Sequence, residues 1–385
     1  MPLGLSSFAV IYSSVILGAL VTQITRDFSV TTGAIGIATA AYALPGIAVA
    51  VLTGPSSDRL GRKRFLMAGT GVLGVCTILA AAAPTYPVLI AARVVAGLGA
   101  ALVLPNMMGT VADHFSYRER GRVIATMFMA NTTGSLTGLA VGGVIGEQLG
   151  WRTSLALSGG VALAACVALS RIPIRASPTA AEGGARSVLL RVLRDGSAVA
   201  LLGSNLLGAT AWTAWTTYLV VYLQTAYGLA QGIAATCALV LGGGMLIGSQ
   251  IGGRLGDRGH RSMLAFSVAA SGAFLFFVAA VTPPLALAVA LILAGAISFG
   301  IRATSNAALM TEQVVSARTT VLALSAVTVS AAIVFSGAVG GAIIDRVGFG
   351  ALGAFCFAAA VGSALLAMRA REGGSDDPIS VASAT

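Results

Sequence analysis

Two arginines lie inside sequence that is otherwise apolar or built from small residues. Arg93 occurs in LIAARVVAGLGAALV and Arg302 occurs in AISFGIRATSNAA. All 13 acidic residues lie between such stretches, at their ends or in the C-terminal tail. A charge in an apolar interior is costly and is usually paired or functional, and an interior of net positive charge attracts anions. One interpretation is therefore a site in which Arg93 and Arg302 hold an organic anion. The alternative is that these arginines do not bind a ligand, with the Arg302 side chain extending to the polar end of its apolar segment.

A second group of candidates suits a ring-bearing or amphipathic ligand. In WTAWTTYLVVY, the residues Trp212, Trp215 and Tyr218 follow one another at helical spacing and share one helical face. Such a face can stack on a substrate, or it can form an aromatic belt at the membrane surface. Amide side chains in apolar segments need polar partners, so they are candidates either for a cavity or for bonds between helices; these are Asn131, Asn205, Gln250 and Asn306.

Residues for proton transfer or metal chemistry are few. Asp27 and Glu147 are the acids nearest to the apolar interior, and they are weak candidates for proton coupling because both also suit a solvated loop. We expect that neutralising either one alone does not abolish the function of the protein. The four cysteines are separated along the chain, and both histidines lie between apolar segments. The sequence therefore predicts no metal site and no cofactor, and it argues against an enzyme.

The elements that carry these residues are predicted to be membrane helices. The chain of 385 residues is 57% hydrophobic and 9% charged, with a mean hydropathy of +0.92. Long apolar runs without strict alternation favour helices over a barrel. We predict an all-α protein with twelve transmembrane helices, the eighth running from Gln231 to Gly253. We divide the chain into an N-terminal six-helix bundle (1–170), a linker (171–195), a C-terminal six-helix bundle (196–368) and a tail (369–385).

The two bundles are predicted to be copies of each other. At an offset of 198 or 199 residues, AVGGVIGEQLGW overlays AVGGAIIDRVGF, which places Glu147 on Asp345. The charged stretch GPSSDRLGRKR overlays GGRLGDRGHR in the second half. An even number of helices per copy gives parallel repeats, with any substrate site between them near the middle of the membrane.

The distribution of basic residues predicts the orientation. Most of the 23 lysines and arginines lie in alternate loops and in the tail, and the opposite loops hold only Arg26, Arg152 and Arg346. By the positive-inside rule the N- and C-termini are cytoplasmic. The net charge of +10 is then explained by topology and contact with anionic lipid headgroups, and it gives no reason to propose nucleic acid as a partner.

These motifs resemble those of the major facilitator superfamily. The loop after the second helix is similar to the signature G-x-x-x-D-R-x-G-R-K-R of that family. The resemblance implies a conformational latch between the second and eleventh helices that favours an outward-open form; its residues here are Gly54, Asp58, Arg59, Gly61 and Arg62, with Asp257 and Arg258 in the degenerate second copy. The fourth helix carries R-x-x-x-G-x-G-A-A from Arg93, which is similar to a motif of proton-driven exporters. This resemblance implies a structural or proton-transfer role for Arg93, as the alternative to an anion site. The fifth helix departs from the antiporter pattern, with Leu139 in place of the expected proline.

The resemblance implies a secondary transporter that works by alternating access. We expect a monomer in the plasma (cytoplasmic) membrane that exports an amphipathic or drug-like compound in exchange for protons. One alternative is a uniporter or exchanger of an organic anion bound by Arg93 and Arg302. An alternative of another class is a membrane sensor or scaffold that does not transport.

Overall fold

The computed structural model describes residues 2–115, 117–171, 192–254, 259–313 and 318–371. This part of the chain folds into α-helices and contains no β-strand. The helices are α1 (Pro2–Phe28), α2 (Thr32–Leu60), α3 (Arg62–Ala81), α4 (Tyr86–His114), α5 (Tyr117–Leu149), α6 (Trp151–Ser170), α7 (Gly196–Tyr227), α8 (Gln231–Cys237), α9 (Leu239–Arg254), α10 (His260–Val281), α11 (Leu285–Gln313), α12 (Arg318–Arg346) and α13 (Phe349–Ala367).

Ten segments of the described chain are long and apolar enough to cross a membrane, with α8 and α9 forming one of them. The other two long helices are α5 with 33 residues and α7 with 32. At 1.5 Å per residue each is about 48 Å long, which exceeds the thickness of the hydrocarbon core. The expectation of an all-α membrane protein is confirmed.

The predicted eighth span is divided in two. Helix α8 ends at Cys237 and α9 begins at Leu239. At the junction the N–H of Ala238 donates to Ala235 O at 3.1 Å, and the N–H of Leu241 donates to Ala238 O at 3.1 Å. Bonds from residue i to i−3 tighten the backbone relative to an α-helix, so the axis of the span is interrupted. The sequence shows no proline or charged residue at this point to announce the break.

Successive spans run in opposite directions, which gives the molecule two faces. The Asp27 face carries the turns after α1, α3, α5, α7, α10 and α12, and includes Asp27, Gly150 and Gly348. The Arg62 face lies at the opposite ends of the helices and includes Arg62, Arg171 and Arg369. Tight turns at the Arg62 face need glycine, because Gly61 (φ 90°) and Gly259 (φ 95°) adopt a left-handed backbone before α3 and α10.

Packing is mostly local to each half of the chain. In the first half, α3 packs against α4 and α6, and α1 packs against α5 and α6. In the second half, α9 packs against α11, and α10 packs against α11 and α13. The halves meet where α2 packs against α12, α5 against α8, and α1 against α7. We call these three contacts together the seam.

The buried apolar clusters follow the same division. One cluster contains only first-half residues such as Leu66, Met107 and Val111. Another contains only second-half residues such as Val192 and Met310. Two further clusters mix the halves: Ala19 and Leu139 pack with Leu219 and Ala234, and Val221 packs with Ile24 and its neighbours. Among the described residues, the halves are therefore joined in the Asp27-side part of the molecule.

Candidate functional site

Arg93 lies fully buried between helices of the first half. Its Nη1 donates to Ser13 Oγ at 3.2 Å, and its Nη2 donates to Ser13 O at 3.0 Å. Its guanidinium lies 4.2 Å from the centre of the Tyr42 ring, and the Tyr42 hydroxyl donates to Val10 O. Gly97, one turn further along α4, lets the backbone of α2 at Tyr42 approach closely. These contacts join α1, α2 and α4, so the described environment of Arg93 is that of a helix-joining residue.

Arg302 lies in an equivalent setting in the second half, where its side chain is 3% exposed. Its Nη2 donates to Asn205 O at 3.2 Å and to Asn205 Oδ1 at 3.0 Å, and the guanidinium lies 5.0 Å from the centre of the Phe299 ring. Asn306 donates to the same Asn205 oxygen at 3.2 Å. The Asn205 amide donates in turn to Thr328 Oγ1 at 2.8 Å and to Ser325 Oγ at 3.1 Å. Helices α7, α11 and α12 are thereby joined in one polar cluster.

The structure brings Arg302, Asn205 and Asn306 together but does not bring Arg93 to them. The hydrogen-bonding and ring partners described for Arg93 belong to α1 and α2, and those described for Arg302 belong to α7 and α11. Gly208 lies against Arg302 Nε, so the backbone of α7 covers that edge of the guanidinium. Arg93 and Arg302 therefore lie in two separate clusters. This arrangement of the described residues argues against a single anion site held between them.

The predicted aromatic face of α7 divides among three surroundings. Trp212 is partly exposed and stacks on Phe299, with ring centres 4.1 Å apart and planes at 6°. Trp215 is 1% exposed and packs against Tyr222 in a cluster that joins both halves. Tyr218 is buried, and its hydroxyl donates to Gly337 O at 3.1 Å. Trp212 therefore remains the candidate for contact with a substrate, while Trp215 and Tyr218 are packing residues of the seam.

The two remaining amide candidates differ. Asn131 Oδ1 accepts a hydrogen bond from Ser7 Oγ, which joins α5 to α1. Gln250 lies exposed on α9. The first is thus a bond between helices of the first half, whereas the second remains available to a ligand or to lipid.

The contact of α2 with α12 is made by glycine backbones. A Cβ atom at Gly36 would meet both Gly337 O and the Tyr218 hydroxyl, and a Cβ at Gly337 would meet Gly36 O. Closer to the Asp27 face, a Cβ at Gly341 would meet Gly33. Small residues allow helix backbones to approach in this way. The two halves therefore touch main chain to main chain at this part of the seam.

Two carboxylates cross the seam at the Asp27 face. Asp345, at the end of α12, accepts from Gly33 N at 3.0 Å through Oδ1 and at 3.2 Å through Oδ2. Glu147, at the end of α5, accepts from Gly232 N at 2.6 Å. Gly33 and Gly232 are each the second residue of their helix, where a backbone N–H has no partner within the helix. Each acid therefore caps a helix of the other half.

Asp27 has a different partner. Its carboxylate forms an ion pair with Arg152 and accepts from Trp151 Nε1 at 3.0 Å. All three residues belong to the first half, and Arg152 also lies over the Trp151 ring at 4.4 Å. Asp27 thus joins the end of α1 to the start of α6 and does not reach the seam through these contacts.

The predicted latch lies mostly outside the described part of the chain. Asp257 and Arg258 are not among the described residues, and neither are the side chains at Gly54, Asp58 and Arg59. Gly61 provides the left-handed turn before α3. The Arg62 guanidinium lies against Gly109 of α4. The latch therefore stays a prediction, and these two contacts show only how its last residues pack in the first half.

Among the described residues, no three His, Cys, Asp or Glu side chains lie together in a way that could hold a metal ion. The four cysteines are free thiols. An open crevice of about 540 Å³ lies beside α8, between Val144 and Glu147 of α5 and Ile233 and Cys237 of the second half.

Several residues of the seam were missed by sequence reasoning. The overlay paired Glu147 with Asp345, but Asp345 was not selected as a site residue. Gly33 and Gly232 are also related by the offset of 199 residues. The sequence did carry a signal. An acid stands at the end of both the fifth and the eleventh spans, and a glycine stands at the start of both the second and the eighth. Ser13 and Tyr42, which hold Arg93, gave no such signal.

Comparison with known proteins gives similarities to transporters. Residues 3–249 match the profile of the Major Facilitator Superfamily. A chloramphenicol resistance protein of Streptomyces lividans is 29% identical over 256 residues, which are 66% of this chain and 65% of that protein. The multidrug resistance protein Stp of Mycobacterium tuberculosis (strain CDC 1551 / Oshkosh) is 30% identical over 152 residues, 39% of this chain and 28% of that protein. The chain therefore matches less than two thirds of the length of either relative.

The fold has close likenesses among solved structures. The crystal structure of a D-xylose-proton symporter superposes with a TM-score of 0.78, covering 96% of this chain and 96% of that one, at 17% sequence identity. At this identity the likeness concerns the fold alone.

Proposed function

The chain belongs to the Major Facilitator Superfamily and is an integral membrane transporter rather than an enzyme, and we propose that it exports a small amphipathic compound in exchange for protons by alternating access. In this proposal the six-helix bundles 1–170 and 196–368 are the moving bodies. The observation that carries it is the seam: near the Asp27 face, hydrogen bonds cross between the halves from Thr22 to Gln224, from Gly33 to Asp345 and from Gly232 to Glu147. One end of the molecule is thus held closed by contacts that a rocking motion would break.

The class of substrate is supported by the relatives and by the arginine clusters. The two relatives are a chloramphenicol resistance protein and a multidrug resistance protein. Arg93 and Arg302 bind neutral oxygen atoms of their own halves, which fits a role in holding helices and makes an anion site less favoured. Trp212 and Gln250 are the candidate contacts for an amphipathic substrate. With the Arg62 face in the cytoplasm, this conformation is closed to the outside.

The test is transport by the purified protein in liposomes. We expect a liposome interior more acidic than the bath to drive accumulation of chloramphenicol or of a lipophilic cation several-fold above protein-free liposomes. Collapse of the gradient with a protonophore should remove that accumulation. Flux of benzoate without flux of the amphiphiles would favour the anion alternative, and absence of flux for neutral, cationic and anionic probes would favour a sensor or scaffold.

A further inference from the structure

The Asp27 face is closed by the same contact made twice. Glu147 at the end of α5 caps α8 at Gly232, and Asp345 at the end of α12 caps α2 at Gly33. The two acids are 198 positions apart and the two glycines are 199 positions apart, which matches the offset of the internal repeat. Each acid comes from one half and each capped helix from the other. The duplication of the sequence therefore places one carboxylate on each side of the seam.

We infer that Glu147 and Asp345 form a duplicated latch that holds the Asp27 face closed, and that this face opens only when both carboxylate caps are released. The inference rests on the proposed function in one respect, since it treats opening of this face as a step of transport. It adds a pair of carboxylates that act at the seam rather than in a substrate cavity.

The chemistry follows from what a carboxylate offers to a helix start. An ionised carboxylate accepts N–H bonds more strongly than a neutral carboxylic acid, and its charge is favourable beside the partly positive N-terminus of a helix. Both side chains are exposed at the surface, so water can replace the helix N–H groups as their partners when the face opens. The closed state makes the bonds to Gly33 and Gly232, and an open state breaks them. Removing the negative charge of either side chain by substitution therefore favours opening.

Other titratable or charged side chains surround the two acids. On the helices that pack against α5, those on or near the Asp27 face are Arg26, Asp27, Tyr86, Arg152 and Cys237. For Asp345, the corresponding residues on α12 and the helices packed against it are Tyr218, Tyr222, Tyr227, Arg346 and Cys356, with Tyr218 in electrostatic contact with Asp345. Among the described acids at this face, Asp27 is the one whose bonds stay within a half, which makes it the matched control.

The experiment measures the distance across the Asp27 face by double electron–electron resonance on the full chain in nanodiscs. Spin labels are placed at Ala82→Cys and Val281→Cys, two exposed positions away from the latch, in a variant whose four native cysteines are replaced by alanine. The distance distribution is recorded at pH 8 for the parent, Glu147→Gln, Asp345→Asn, the double variant and Asp27→Asn.

Each single neutralisation should raise the ratio of open to closed about tenfold at pH 8, and the double variant about a hundredfold, because the two contacts share no partner and so add in free energy. Asp27→Asn should keep the distance distribution of the parent.

Two results would overturn the inference: a double variant with the distance distribution of the parent, or an Asp27→Asn variant that opens as far as the double variant. A second measurement covers variants that are poorly behaved. Disulfide formation between Thr22→Cys and Gln224→Cys, whose native side chains are hydrogen-bonded across the seam at 2.6 Å, reports the closed state. It should be slower in the double variant than in the parent at the same pH. Neither readout needs a substrate, so failure to find a transported compound leaves this result decisive on its own.

Discussion

The interior of each half and the seam between the halves use polar groups in opposite ways. In the interior, Arg302 is 3% exposed and Asn205 is 4% exposed, and their hydrogen bonds join α7, α11 and α12. At the seam, glycine backbones touch and two exposed carboxylates each cap one helix. Disrupting a buried hydrogen-bond network costs much free energy, whereas an exposed helix cap contributes only modestly to the stability of a contact. The interior is thus built to stay together, and the seam is built so that it can separate.

The largest effect on transport is expected from filling the seam. Gly337→Leu places a side chain where α12 meets the Gly36 carbonyl, so the Asp27 face cannot close around it. We expect loss of at least about 90% of transport in liposomes, because overpacking at such a contact costs about 1–3 kcal/mol or more and blocks one of the two states. Thermal stability should change much less than transport.

The matched control is Gly160→Leu on α6, where an added Cβ would meet open space. This variant should keep the transport of the parent. Equal losses in both variants would mean that a larger side chain in any helix is harmful, and the distinction between seam and interior would be lost.

The next largest effect is expected in stability, from breaking the interior. Arg302→Met removes the donor to Asn205 O and Oδ1 and leaves buried acceptors without it. The cost should be about 3 kcal/mol of unfolding free energy, as for other buried charged partners. Thermal unfolding in detergent measures it. Arg93→Met should behave similarly, through loss of its bonds to Ser13.

A ligand panel sharpens the role of these arginines. A compound that binds the native state raises the unfolding midpoint. We expect chloramphenicol and lipophilic cations to raise the midpoint, and benzoate or phosphate esters to leave it unchanged. Stabilisation by an anion that disappears in Arg302→Gln but persists in Asn131→Ala would instead make the interior cluster a binding site.

The smallest effect is expected from one neutral bond of the seam. Thr22→Val removes the hydrogen bond from Thr22 to Gln224 at 2.6 Å without a large change of shape. It should shift the balance toward the open Asp27 face by about 1 kcal/mol, roughly fivefold in population. The spin-label distances measure this shift, and Thr25→Val, which removes a bond within α1, provides the comparison. An equal shift in both variants would show that the cross-seam bond contributes nothing specific.

Much of the fold followed from the sequence because membrane helices depend on local composition. Long apolar runs and the repeat predicted the spans and their correspondence, including the equivalence of Glu147 and Asp345. The break at Ala238 was not predicted, because it interrupts an apolar stretch without proline or charge. Backbone geometry there depends on tertiary packing, which composition does not encode.

The candidate site was only partly predictable, because a side chain in a helix can face the substrate path, lipid or another helix. Residue type selected Arg302, Asn205 and Asn306, and the structure joins them in one cluster. Residue type also suggested that Arg93 and Arg302 act together, but each finds its described partners within its own half. Tertiary contacts decide whether a side chain faces the substrate path, lipid or another helix. The contacts of Arg93 with Ser13 and Tyr42 are an example, and no spacing rule indicates them.

The break at Ala238 also makes the two sides of the seam mechanically unequal. In the helix capped by Asp345 the first proline is Pro45, twelve positions beyond Gly33, so about three helical turns move together with the cap. The helix capped by Glu147 is a segment of seven residues that ends at the break, with a crevice beside it. A short segment next to a break can shift without moving the rest of its span. The α8 side can therefore yield first and locally, whereas separation at α2 moves the first turns of that helix with it.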